Sequence, residues 1–168
     1  QDDAAAAAVA VFNEAQDAHE KGDIASALAL YEKALGIMPE FPEAEYQRGT
    51  ALLALHRSSE AETAFRHAAA LRDGWSLPAV KLCEMLVTKY IDKQRAGAAD
   101  AAAAFTDALG AVNAILKDEP NNPSAVAALV DLRLTSGASD PVLKELLHRV
   151  ESLTDGRSSP AASLLVAR

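Results

Sequence analysis

The side chains able to do metal or nucleophilic chemistry are few and dispersed. Four histidines, His19, His56, His67 and His148, show no HxxxH or HExxH spacing, and no histidine lies near the single cysteine, Cys83. A metal site needs several ligands converging with defined geometry, so these histidines read as surface or turn residues. Cys83 would need a cationic neighbour to lower its pKa before it could act as a nucleophile. Its neighbours three and four residues away are apolar, which fits an inert packing residue. Glu40, Glu43 and Glu45 gather at the start of an expected helix. The helix dipole favours acids there by about 0.3–1 kcal/mol each, so a solvated face explains them. No Gly-rich phosphate loop, GxSxG elbow or acidic metal cluster occurs. The expectation is a chain with no catalytic residue, no cofactor and no metal.

The elements that carry these residues follow from composition. Half of the 168 residues are hydrophobic but only 5% are aromatic, and alanine alone fills about 38 positions. Alanine is the strongest helix former and lets backbones approach closely, so tightly packed helices are expected. The net charge of −8 argues against a nucleic-acid partner, whose phosphates demand cations. No apolar run reaches the roughly 18 residues of a membrane span, so no membrane insertion is expected. One thiol excludes an internal disulfide and suits the cytosol, the periplasm or a secreted setting.

Shifting the sequence by 34 residues superposes Phe12 on Tyr46, Ala15 on Gly49, Ala27 on Ala61, Tyr31 on Phe65 and Ala34 on Ala68. Ala27, Tyr31 and Ala34 are four and three residues apart and form one helical stripe. Its small residues admit a neighbouring helix and its ring fills the gap beside them. Punctuation splits each copy into two helices. Gly22 suits a left-handed helix end and Asp23 the next cap, while Pro39 and Pro42 separate the copies. Ser59 with Glu62 predicts a capping box, and Asp73-Gly74 ends the second copy.

This helix-turn-helix pattern resembles the tetratricopeptide repeat (TPR), on Ala15, Gly22, Ala27, Tyr31, Ala34 and Pro39, then Gly49, Ala61, Phe65 and Ala68. Where the family often has Trp and Leu early in its first helix, this chain has Val11 and Glu14, then Glu45 and Arg48. The resemblance implies an all-α fold, a right-handed α-solenoid of stacked hairpins forming a single domain over residues 1–168. Its repeats are expected at residues 4–41 and 42–75, with an extended third at 76–122 and a degenerate fourth at 123–158. The third holds Cys83 at the position of Ala15 and Gly49, Ala108 at a small-residue site, and Ile115 where Ala34 and Ala68 stood. Pro78 is expected to start its first helix. Its extra ~13 residues, shared equally, would lengthen each helix by about 10 Å. Asp140-Pro141 is expected to open a helix carrying Val142, Leu146, Leu147, Val150 and Leu153. Residues 159–168 are expected to form a terminal helix cut short, with native sequence continuing beyond Arg168, and the start at Gln1 suggests processing or excision.

In this family the first helix of each hairpin lines a concave face. The register places Phe12, Asn13 and Gln16 there, then Tyr46, Gln47 and Thr50, then Lys81, Glu84 and Thr88, with Asp131 continuing the row. Rings beside amides suit a protein or peptide segment, the rings giving contact area and the amides pairing with its backbone. Phe12 and Tyr46 equally suit packing between hairpins. The subclass that clamps chaperone C-termini uses lysine and asparagine. Here Phe12, Gln16 and Gln47 occupy such positions and only Lys81 is basic, so that reading is rejected. The expectation is a non-enzymatic protein–protein interaction scaffold. Two alternatives are a repeat region of a larger transferase- or hydroxylase-type enzyme and a self-associating module forming a homo-oligomer through an exposed apolar end.

Overall fold

The computed structural model describes residues 2–137 and, singly, Pro141, Lys144 and His148. The expected helix after Asp140 and the terminal helix lie outside the described residues. Seven helices are described: α1 (Asp2–Glu20), α2 (Ile24–Ile37), α3 (Pro42–Ala54), α4 (Ser58–Leu71), α5 (Ser76–Arg95), α6 (Ala101–Asp118) and α7 (Pro123–Thr135). No strand occurs among the described residues. The fold is an all-α solenoid of helical hairpins. The chain divides into two compact units, residues 1–79 and 80–168.

In the first unit α1 packs on α2, α3 on α4, and α2 on α3. The small-residue stripe forms its core: Ala15, Ala27, Ala34, Ala61 and Ala68 are all fully buried. Tyr31 and Phe65, at 1% and 0% exposure, fill the space beside them. The ring pair of each hairpin repeats closely. Phe12 and Tyr31 have centroids 5.7 Å apart, and Tyr46 and Phe65 5.6 Å. Gly49 lies against Phe65 so tightly that an added Cβ would fall 2.8 Å from its ring. The helix contact expected at this position is therefore present.

The helix ends follow a backbone rule. After α1 the Gly22 amide donates to the His19 carbonyl and the Asp23 amide to that of Ala18. After α3 the His56 and Arg57 amides donate to Leu53 and Leu52 in the same pattern. This Schellman closure needs a left-handed residue at its centre. Gly22 takes φ 81° and His56, at the equivalent position 34 residues on, takes φ 59°. Asp23 then caps α2, its carboxylate accepting from the Ser26 amide at 3.2 Å. The capping box expected at Ser59 is absent. The closure after α3 ends at Arg57, whose carbonyl already accepts from the Ala61 amide, so α4 starts at Ser58 and Ser59 lies inside its first turn. Arg57 and Glu60 pair there instead, through bonds of 2.7 and 2.6 Å.

In the second unit α5 has 20 residues against 13 in α3, and α6 has 18 against 14 in α4. At 1.5 Å per residue the additions are about 10 Å and 6 Å, so the expected equal division does not hold. Tyr90 packs edge-on to Phe105 at 5.2 Å, and Lys93 pairs with Asp100 across the turn. α5 begins at Ser76, so Pro78 sits within its first turn rather than opening it, where its missing amide hydrogen costs nothing. Cys83, Ala108, Val112 and Ile115 are buried at the expected register positions.

Candidate functional site

The row of side chains expected on the first helices falls partly into the first unit. There α1 carries Phe12, Asn13 and Gln16 within one turn, and α3 carries Tyr46, Gln47 and Thr50. Phe12 is buried to 9% exposure, wedged between Tyr31 and Phe41, the latter at 4.9 Å. Tyr46 is half-buried between Phe65 and Trp75, the indole 5.4 Å away, and Arg72 lies over that indole. The Thr50 hydroxyl donates to the Tyr46 carbonyl at 3.2 Å. Asn13 is exposed and Gln16 and Gln47 are half-buried, all able to offer an amide donor and acceptor to a backbone. Trp75 and Phe41 had no place in the sequence reading. Each borders its hairpin outside the 34-residue match, which compares only positions present in both copies.

Glu45 is not the solvated surface acid expected from its helix-start position. It is 3% exposed, accepts from Arg48 at 2.8 Å and lies 3.4 Å from His67 Nδ1 on α4. Burying a carboxylate requires partners, and Arg48 and His67 supply them. The signal was available: Glu45 and Arg48 stand three apart at positions that are apolar in the family. Glu43 does face outward, pairing with Arg72.

In the second unit α5 and α7 enclose a cavity of about 300 Å³, lined by Glu84, Val87, Thr88, Ile91, Ser124, Ala127, Ala128 and Asp131. Three of the expected row, Glu84, Thr88 and Asp131, meet here. Spacings of three, four and seven place these residues on one face of each helix. Lys81 lies one turn earlier and donates to Glu84 at 2.9 Å. The Thr88 hydroxyl donates to the Glu84 carbonyl. Burial pushes the Asp131 carboxyl above the ordinary aspartate range. The apolar wall of Val87, Ile91, Ala127 and Ala128 was not foreseen, although it shares the helical spacing.

Cys83 is buried and its thiol is pushed up to about 11, first by burial and then by the Glu84 carboxylate. A thiol held protonated is a poor nucleophile. His19 sits 3.4 Å from the Tyr31 hydroxyl, His56 closes a turn, His67 supports Glu45 and His148 is exposed. Among the described residues no three His, Cys, Asp or Glu side chains gather into a metal-binding group, and no helix is long and apolar enough to cross a membrane.

A family model described as tetratricopeptide repeat matches residues 18–81. Among solved structures, MamA 41-end from Desulfovibrio magneticus RS-1 superposes with TM-score 0.69 at 19% identity, covering 88% of this chain and 76% of that one. A MamA RS-1 ArsTM double mutant gives TM-score 0.69 at 20% identity, over 88% and 75% of the two chains. YrrB, described as a TPR protein with an unusual peptide-binding site, gives TM-score 0.45 at 15% identity over 96% and 92%, too low to carry an argument. A search of curated proteins returns no match. At these identities the likeness is one of fold.

Proposed function

This chain is a tetratricopeptide-repeat protein, and from that premise we propose that it is a non-enzymatic scaffold holding a protein or peptide segment against the first helices of its hairpins. The observation that carries this reading is the cavity between α5 and α7, whose polar lining comes from the row expected to face a guest. In the first unit the half-buried amides of Gln16 and Gln47 support the same use. Neither has a hydrogen-bond partner among the described residues, so both remain able to pair with a peptide backbone. The buried, protonated Cys83 and the structural employment of His19, His56 and His67 support a role without catalysis.

The test is affinity capture of a partner, followed by a Gln16→Ala, Gln47→Ala double variant. These amides are preferable targets to Tyr46, whose ring packs on Phe65 and Trp75 and whose loss would disturb the fold. The double variant should melt as the parent does and bind at least fivefold more weakly, the loss of about two hydrogen bonds. Unchanged binding by a folded variant moves the interface elsewhere.

A further inference from the structure

The cavity between α5 and α7 has a chemistry more specific than peptide binding in general. One side is aliphatic: Val87 and Ile91 from α5, Ala127 and Ala128 from α7. The polar lining consists of Glu84, Thr88, Ser124 and Asp131, and no Lys, Arg or His is present in it. Two of these groups are already engaged. The Thr88 hydroxyl is turned back onto its own helix, and the Glu84 carboxylate takes a bond from Lys81. Asp131 differs. It is half-buried, and among the described residues no cation pairs with it.

A carboxylate removed from water without a partner is costly, and a group that supplies the partner recovers that cost. An apolar guest would bury Asp131 further without compensation, and an acidic guest would repel it. An aliphatic stem ending in a cation satisfies both walls, and lysine and arginine have that form. We infer that this cavity receives a lysine or arginine side chain of a bound basic peptide segment, its stem against Val87, Ile91 and the two alanines and its cation against Asp131. The volume, at the small end of ordinary ligand clefts, suits one side chain rather than a whole cofactor. The net charge of −8 draws a basic segment toward the chain. Burial's upward pressure on the Asp131 carboxyl is what an unpaired binding carboxylate experiences while its site is empty.

This inference rests on the scaffold reading, and its experiment separates the two. A phage-displayed library of random twelve-residue peptides is panned on the full chain. The strongest peptide is then synthesised in its selected form and with its basic residue replaced by norleucine. The expected result is selection of a lysine or arginine at one fixed position. Asp131→Asn should then weaken the peptide roughly tenfold or more, the scale of a close charge pair. Norleucine should weaken it equally, and the two changes together should cost no more than either alone. Ala127→Leu, which fills the cavity, should also abolish binding. Thermal melting of each variant separates loss of the site from loss of the fold. Selected peptides that lack a basic position, or that ignore Asp131→Asn and Ala127→Leu while responding to Gln16→Ala, Gln47→Ala, would overturn the cation assignment and leave the scaffold standing. Panning that returns no peptide above background overturns both.

Discussion

Residues 2–79 and 80–137 fill the space between paired helices in different ways. In the first unit a ring, Tyr31 or Phe65, is packed beside a residue no larger than alanine, Ala15 or Gly49. In the second unit the ring position holds Val112, and the small position opposite grows to Cys83. Ile115 likewise replaces the alanine of the first two hairpins. A shorter side chain on one helix leaves room for a longer one on its neighbour, so interior volume is kept while the pattern of residue types changes. The family match, which ends at residue 81, stops where the ring-and-small-residue pairing stops. Helical hairpins continue past that point, so the recognisable motif and the fold it specifies have different extents.

The strongest way to break this contrast is to place the same large side chain at both small positions. Gly49→Leu would drive four extra carbons into the Phe65 ring, against which even a Cβ sits at 2.8 Å. We expect a loss of about 3 kcal/mol, the upper end of ordinary overpacking, because Phe65 is fully buried and cannot swing aside. Cys83→Leu adds less to a position already shaped for a γ atom and should cost about 1 kcal/mol. Urea unfolding of both variants measures the difference. Equal losses would show that the two positions are packed alike.

The same contrast explains what could be read in advance. The six helices up to Asp118 and the one after Pro123 announced themselves through Gly22, Pro39, Pro42, Asp73-Gly74, Gly97 and Pro120, because turn residues act locally. The stripe from Ala27 to Ala34 was legible because it recurs. The Schellman closure at His56 was not, because a histidine gives no sign of a left-handed backbone until its neighbours' hydrogen bonds are known. In the candidate site, Glu84, Thr88 and Asp131 could be set on one face by register alone. The burial of Phe12 depends on Phe41, and the apolar wall at Ala127 depends on how close α7 comes to α5, which no single helix reveals.

Charge gives a second contrast of intermediate size. Glu45 in the first unit is buried and paired, whereas Asp131 in the second is half-buried without a described cation. Removing one member of a paired set strands the other, so Glu45→Leu should cost about 1–3 kcal/mol, below the usual range for deeply buried pairs because Arg48 reaches solvent. Glu45→Leu with Arg48→Leu restores an apolar pair at positions that are apolar in the family and should recover most of that loss. Asp131→Asn removes a desolvated charge and should not destabilise the chain at neutral pH. The Asp131 carboxyl is raised on folding, so the folded chain binds its proton more readily than the unfolded one. The charged form therefore penalises the parent above the raised value. As pH falls through that value towards 3.8 the penalty is relieved, and the gap between parent and Asp131→Asn should close. Melting temperatures measured from pH 7 to pH 3 follow both effects, and a parent that loses ground to Asp131→Asn on acidification would reverse the assigned sign.

The smallest effect lies at the turns that end α1 and α3. Gly22 and His56 hold the same place in the two copies and close the same pair of backbone bonds, yet only glycine occupies a left-handed backbone without cost from a Cβ. His56 is exposed, so its side chain gives up little packing when removed. His56→Gly should therefore stabilise the chain by about 0.5–1 kcal/mol, the relief of left-handed strain less the greater freedom that glycine gives the unfolded chain. His56→Ala keeps the Cβ and should give no such gain. Gly22→His, made in the first copy, should cost about as much as His56→Gly returns, since both turns share the closure and differ only in the residue at its centre. Chemical denaturation of the three variants decides the matter. A His56→Gly variant no more stable than His56→Ala would mean that the imidazole itself supports the turn, and the two copies would then differ in how their first helices end.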